Sequence, residues 1–446
     1  MRSSAKVHVL VYRSAAMRFD ALYAALACIL LAIFIFTIIG CGGGASTTAV
    51  KLETNYTDYQ GPRSVHLNNF NNWTWPSPAS PDYDNRVKIL ALRDRVCLTE
   101  AYGKFSGITP QLLKTHNPNI EVFRLYDLCC KNSWDSDWQK DKTALEDCMQ
   151  TPIPYADIVR NDWWLRDSNG NIVEENASTW LLDVGKPGFK EAYLANLLAR
   201  NANKGFDGFV FDYWHPSIPA SWFADGLTYR DYAGNSDWYE RAWKPFIQYV
   251  ASGVRAAGYK VIGNCAGTIY NEGAWDRTQI DGTIYESWAF GWNGEWLSEE
   301  TIERAVEMFG REQIEVWTAD YGLRSGDPDY TRKACFALAM YYVALPGSPE
   351  LQARRFYQHY GDSTAFWDTL WDFYIGTPLD NRPSHQPGES LFARRFSRGL
   401  VLLNYGHSNS VNYALDRQYC DSRGSIFSGT ISVPPRTGLI LATESP

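Results

Sequence analysis

The chain has 446 residues, of which 45% are hydrophobic and 21% charged, and its formal net charge is -8. That length holds a domain of barrel size plus a smaller one, and the composition is globular rather than disordered. A mildly acidic chain without clustered Lys and Arg is a poor nucleic-acid binder. The 18 Trp stand out beside 27 Tyr and 21 Phe. Aromatics commonly fill cores. Many here lie in polar contexts, such as Asn72-Asn-Trp-Thr-Trp, Asn161-Asp-Trp-Trp and Gly291-Trp-Asn-Gly-Glu-Trp. Flat rings flanked by amides and carboxylates suit molecules with apolar faces and polar edges, as sugars are.

Residues 21–40 form an uncharged stretch, followed by Cys41 and three glycines. The stretch is long enough to span a membrane. A signal peptide needs a shorter apolar core, about 7–15 residues. Cys41 and the Gly-Ser-Thr tether after it favour the signal peptide. Ile38-Ile39-Gly40-Cys41 resembles the bacterial lipobox, which implies a diacylglycerol on the Cys41 thiol and anchoring to the cell envelope. Gly42 does not resemble the Asp signal for inner-membrane retention, so the outer membrane is one expected location. Arg18 supplies a positive flank, and Met17 is a candidate start. Residues 1–41 are therefore set apart from the fold, and 42–84 are read as a polar tether and entry segment.

Nine Cys fit an exported chain. Cys28 lies in the signal; Cys129, Cys130 and Cys148 lie close enough for one disulfide, with free thiols as the alternative. No paired CxxC and no HExxH is present, so neither a metal nor another cofactor is expected.

From about residue 85, apolar runs alternate with amphipathic ones. Val87–Leu92 reads as a first strand, and Ile120–Tyr126 as another that ends at Asp127. Thr179–Asp183 is short and apolar. Pro187 opens a helix carrying Phe189, Ala192, Tyr193, Leu197 and Leu198 at helical spacing. Asp207–Asp212 is a buried strand, and Trp238–Ala257 a helix with Trp243, Phe246, Ile247 and Val250 on one face. Lys260–Asn264 and Asp281–Glu286 follow as strands. Ser298 caps a helix with an acidic first turn. Ile314–Asp320 is a strand and Asp329–Val343 a helix.

This alternation predicts a parallel sheet with helical crossovers, and its length suits a (β/α)8 barrel over residues 85–389. A doubly wound sheet is the alternative, but no Gly-rich phosphate turn follows the first strand. Short runs at Phe392–Phe396, Gly399–Asn404, Ser410–Ala414, Gly429–Val433 and Gly438–Leu441 predict a small all-β domain over residues 390–446.

In a parallel barrel, reactive groups gather where strands end and loops leave. Six expected strands end in a carboxylate or amide: Asp127, Asp183, Asp212, Asn264, Glu286 and Asp320. Any one of these can serve as a cap or turn. Together they form a ring of oxygens suited to hydroxyl groups. Asp207 enters at the far end of its strand and reads as a turn residue. Asp212 and Glu286 are flanked by aromatics, which desolvate a carboxyl and suit acid–base work. Asp320 is the rival for the second carboxylate. Asp127, Asp183 and Asn264 are candidate hydroxyl binders. Trp164, Tyr213, Trp214, Trp288 and Trp292 are candidate stacking residues, with packing as the alternative for each.

Gly205-Phe-Asp-Gly-Phe-Val-Phe-Asp212 resembles the GxDGxxxD strand of TIM-barrel glycosidases, in particular the hypothetical glycosyl hydrolase families with that barrel. Trp164-Leu-Arg-Asp-Ser-Asn-Gly-Asn with Trp180-Leu-Leu-Asp183, then Gly263-Asn264 and Asp281–Glu286, are similar to their other strands. Arg395–Asn404 and Pro434–Leu441 resemble the β domain that ends many of them. The resemblance spans roughly residues 85–445. It implies a glycosidase in which Asp212 is nucleophile or base and Glu286 the proton donor, or the reverse, with a carbohydrate substrate. A carbohydrate-binding lipoprotein without turnover and a structural envelope protein are the competing readings.

Overall fold

The computed structural model describes residues 65–67, 78–98, 107–132, 151–176, 179–212, 214, 229–264, 279–291, 294–312, 314–320, 328–347, 354–356, 369–385 and 388–443. All belong to one compact unit, Tyr56–Pro446. Among the described residues no helix is long and apolar enough to cross a membrane. The expected signal segment, with Cys41, lies outside them.

Eight parallel strands form one sheet in chain order. They are β1 (Val65–Leu67), β2 (Arg95–Leu98), β3 (Glu121–Asp127), β4 (Gly208–Asp212), β5 (Lys260–Asn264), β6 (Gly282–Glu286), β7 (Glu315–Ala319) and β8 (Arg354–Arg355). The helices between them include α1 (Tyr83–Ala91), α2 (Pro110–His116), α3 (Phe189–Asn201), α4 (Lys244–Ala256), α5 (Glu299–Arg311) and α6 (Tyr330–Ala344). Parallel neighbours need such crossovers, because a tight turn cannot return the chain to the same edge.

The sheet curls strongly. β3 and β7 are four steps apart in strand order, which in a flat sheet would be about 19 Å. Yet the rings of Phe123 and Trp317 meet edge to face, with centroids 5.1 Å apart. Alternate residues of these strands point to one side. Cys97, Phe123, Val210, Ile262, Ile284, Trp317 and Ala319 accordingly form one enclosed cluster inside the curl. Below it, at the strand starts, Arg95 reaches Glu121 (2.8 Å) and Glu315 (3.2 Å), and Lys260 reaches Glu121 (2.7 Å). Side chains of β2, β3, β5 and β7 thus close the floor with paired charges.

Two expectations along the sheet are corrected. Val87–Leu92 is not a strand but the body and end of α1. Tyr83, Val87, Leu90 and Ala91 are its buried residues, a helical spacing that the apolar run Val-Lys-Ile-Leu-Ala-Leu conceals. Thr179–Leu181 is a strand, but it pairs antiparallel with Cys130–Asn132 and Glu174–Asn176 in a separate three-stranded sheet. β1, which pairs with β2, lies within residues 42–84, the segment read as a tether and entry segment.

The last part of the described chain is an antiparallel sheet region. Its main sheet includes β9 (Ser384–His385), β10 (Leu391–Phe396), β11 (Gly399–Asn404), β12 (Tyr419–Cys420), β13 (Ile426–Phe427) and β14 (Thr437–Ala442), in the order β9-β10-β11-β14-β12-β13. Val411–Ala414 and Thr430–Val433 pair separately. This sheet lies on α6. A Cβ on Gly438 would stand 2.5 Å from the Cys335 carbonyl oxygen, so the residue there must be glycine for strand and helix to touch. Fully buried Arg394 sends Nη1 to the Val343 carbonyl at 2.8 Å, placing a cation on the orphan carbonyls at the end of α6.

Candidate active site

The upper rim of the curl is built by strand register. Asp127 pairs with Asp212 across the β3–β4 ladder. With side chains alternating, Asp127, Asp212, Asn264 and Glu286 share the inward side with Phe123, Val210, Ile262 and Ile284 of the enclosed cluster. Four strands in succession therefore deliver a carboxylate or amide to the same opening.

One contact organises these groups. The Asn264 amide nitrogen donates one hydrogen to Asp212 Oδ1 at 2.9 Å and the other to Glu286 Oε1 at 2.7 Å. Two donations from one nitrogen limit the separation of those oxygens to about 5.6 Å, and the 120° spread of an amide's hydrogens puts it near 4.9 Å. The amide is turned with its nitrogen to both carboxyl groups, since a flip would press its oxygen against the Asp212 carboxylate. Asn264 Oδ1 is buried without a partner among the described residues. Glu286 is enclosed at 4% exposure, whereas Asp212 is half-buried and more open to the rim. Beside Asp212 on the inner wall lies Cys97. Burial, aided by the Asp212 charge, pushes its thiol far up, so it stays protonated.

The tryptophans around this trio are packing groups, and Asp127 stands beside it on the rim. Asp127 is buried, and its backbone carbonyl accepts from Tyr193 Oη at 2.9 Å. Trp214 is almost fully buried and donates its backbone N–H to the Asn264 carbonyl at 3.1 Å. Its indole leans on Gly263, where a Cβ would fall 2.7 Å from Trp214 Cγ. Trp288 is fully buried, with its indole N–H on the Ala337 carbonyl (3.3 Å) and Phe309 4.8 Å away, centroid to centroid. Trp164 is buried among Tyr155 and Trp180. All three expected stacking residues are corrected by this geometry, because their ring faces are occupied by the protein's own side chains. Tyr213 and Trp292 lie outside the described residues.

Asp183 is also corrected. Leaving an antiparallel strand, it does not join the rim. Its Oδ1 accepts from Tyr232 Oη (2.6 Å) and from the Gly185 amide (3.1 Å), and Lys186 lies 3.7 Å from Oδ2. Burial raises its pKa, against those three partners. Asp207 is the turn residue expected, accepting from the Val122 amide (2.7 Å) and pairing with Lys114 (2.8 Å). Cys129 and Cys130 are buried with sulfurs 3.8 Å apart, a distance without a bond between them, and Cys148 lies outside the described residues.

Asp320 is at the rim but turned away from the other acids. It follows Ala319, which faces inward, so the alternation turns Asp320 to the other side. Its Oδ1 accepts the amides of Ala289 (2.6 Å) and Phe290 (3.2 Å). Oδ2 is buried without a partner among the described residues. Burial pushes this carboxyl up to about 7, while the two amides pull the other way. The structure thus joins Asp212, Asn264 and Glu286 and assigns Asp320 to the backbone behind Glu286. Spacing alone did not reveal the bridging role of Asn264, although its place at a strand end between two acid-bearing strands was the available signal.

The fold and the rim define a curled parallel α/β protein with a carboxylate pair on the inner side of its fourth and sixth strands. The model of hypothetical glycosyl hydrolase family 15 matches residues 114–400, and the chain belongs to that family. No protein with a curated description matches the sequence. Among solved structures, a noncanonic maltogenic alpha-amylase from Thermotoga neapolitana is similar at 13% identity and a TM-score of 0.45, covering 85% of this chain and 98% of that one. An alpha-xylosidase from a soil metagenome complexed with xylose gives 13% identity and 0.42, over 87% of this chain and 60% of that one. A cycloisomaltooligosaccharide glucanotransferase of a Paenibacillus species gives 12% and 0.38, over 86% and 56%.

Proposed function

We propose that this protein is a retaining glycoside hydrolase, with Asp212 as nucleophile and Glu286 as general acid and base. Its parallel sheet closes as a (β/α)8 barrel, and its substrate is an oligo- or polysaccharide met at the cell envelope, where a lipid on Cys41 holds it. The observation that carries the chemistry is the single amide nitrogen shared by the two carboxylates. It limits the oxygens to about 5.6 Å. Retaining enzymes hold their carboxyl groups about 5–5.5 Å apart and inverting ones about 6.5–9.5 Å to admit a water, and two carboxyl groups bridged at their nearest oxygens by one nitrogen favour the closer class.

Glu286 is the more enclosed of the two and Asp212 the more open, and the proton donor is assigned to the enclosed one. It protonates the glycosidic oxygen as the Asp212 carboxylate attacks the anomeric carbon, and the aglycone leaves as an alcohol. A glycosyl ester on Asp212 remains. Glu286, now a carboxylate, takes a proton from water, whose oxygen attacks the same carbon. The C–O bond to Asp212 breaks, Asp212 leaves as a carboxylate, and Glu286 is again protonated. Asn264 fixes both carboxyl groups through the cycle.

The test is release of reducing ends from a panel of bacterial and plant polysaccharides by residues 46–446. Asp212→Asn and Glu286→Gln run in parallel. Release by the parent, lowered about 100-fold or more in both variants, supports the reading. Glycan binding with no release from any substrate supports a carbohydrate-binding protein instead.

A further inference from the structure

We propose that Asp320 is a positioning residue that locks the turn behind Glu286 and so aims the proton donor; this rests on the glycosidase reading above. The turn starts immediately after the acid. Ser287 adopts a left-handed backbone conformation, with φ at 59°, although it carries a side chain. A residue with a side chain is strained in that region and persists there only where the surroundings hold it. What holds it is the end of β7. The Trp288 amide donates to the Ala319 carbonyl at 3.0 Å, and the next two amides both donate to Asp320 Oδ1. Three consecutive N–H groups are thus captured by two adjacent residues of the neighbouring strand.

Glu286 is itself the last residue of β6, paired with Ala319 across the ladder. Its side-chain direction therefore follows from β6 on one side and from the captured turn on the other. Asp320 has no described contact with Asp212 or Asn264, and it does not line the inner side. It acts on the reaction only through the backbone that carries Glu286. A carboxylic acid suits this task because one oxygen accepts both amides. An asparagine keeps that oxygen, and an alanine removes it.

The test compares the parent with Asp320→Asn and Asp320→Ala on aryl glycosides of the sugar that the parent releases. One series has poor leaving groups and the other 2,4-dinitrophenolate, which departs without a proton. A misaimed Glu286 slows only the first. For Asp320→Ala, kcat/KM is expected to fall about 100-fold on poor leaving groups and less than about 5-fold on the dinitrophenyl glycoside, with Asp320→Asn near the parent on both. Backbone hydrogen exchange at Ala289 and Phe290 is expected to quicken in Asp320→Ala and not in Asp320→Asn. Equal losses on both substrate series, or unchanged exchange at those amides, overturns the positioning role while leaving the carboxylate pair intact. A parent without hydrolysis overturns the glycosidase reading first and this one with it.

Discussion

Asp320 makes a quantitative prediction about pH. Its carboxyl is fully buried, and its pKa is raised from 3.8 to about 7, chiefly by burial. An acid whose folded value lies above its unfolded value favours the fold while both states are protonated. That advantage is present below pH 3.8 and is lost as pH rises to about 7, because the unfolded chain ionises first. Above that the loss is complete. About three pH units at roughly 1.4 kcal/mol each give about 4 kcal/mol. Asp320→Asn has the shape of the protonated acid and does not titrate. The difference in stability between the variant and the parent should therefore grow in the variant's favour between pH 4 and 7, by about 4 kcal/mol, and then level. Thermal unfolding of both proteins at half-unit steps of pH measures it, and the gap in Tm should widen by about 5 °C. A gap that stays constant from pH 4 to 8 would refute the burial argument. One that widened in the parent's favour would show that the ionised form is the one the fold prefers.

Two further substitutions probe the rim. Asn264→Ala removes the donor shared by Asp212 and Glu286 and leaves two carboxylates facing each other. Hydrolysis should fall about 100-fold in kcat, with the acid limb of the pH profile moved upward as the pair's mutual repulsion is exposed. An unchanged pH profile would contradict a bridging role. Gly263→Ala places a Cβ 2.7 Å from Trp214 Cγ, with the strand backbone beneath it unable to yield. Stability should drop by about 1–3 kcal/mol, read as a lower Tm. A neutral substitution would show that Trp214 is free to move.

Much of this site is legible in the sequence, and the limits have physical causes. Asp127, Asp212, Asn264 and Glu286 were visible because each closes a strand five to seven residues long, enough for alternation to define an inward side. β1 was missed because Val-His-Leu offers three residues and no period at all. α1 was read as a strand because Val87, Ile89 and Leu90 mimic a buried run; the buried set Tyr83, Val87, Leu90 appears only when the polar residues before it are counted in. Asp183 looked equivalent to the other strand-end acids because a short apolar strand has the same sequence whether its partners are parallel or antiparallel. The tryptophans misled for a related reason. Polar neighbours in sequence do not keep a ring wet, and Trp164, Trp214 and Trp288 are all buried by residues distant in the chain. Asp320 was recognised as an acid at a strand end. Its work on the amides of Ala289 and Phe290 depends on how β6 and β7 lie side by side, which no local pattern encodes.

The most direct test of the account is to trap the covalent intermediate. A 2-deoxy-2-fluoro glycoside with a dinitrophenyl leaving group, made for the sugar that the enzyme releases, slows the second step more than the first. Intact mass spectrometry should show one added fluoroglycosyl unit per chain, and peptide mapping should place it on Asp212. Label on another carboxylate would reassign the nucleophile. Turnover of the parent glycoside with a product of inverted anomeric configuration and no adduct would contradict the close carboxylate pair as the catalytic device.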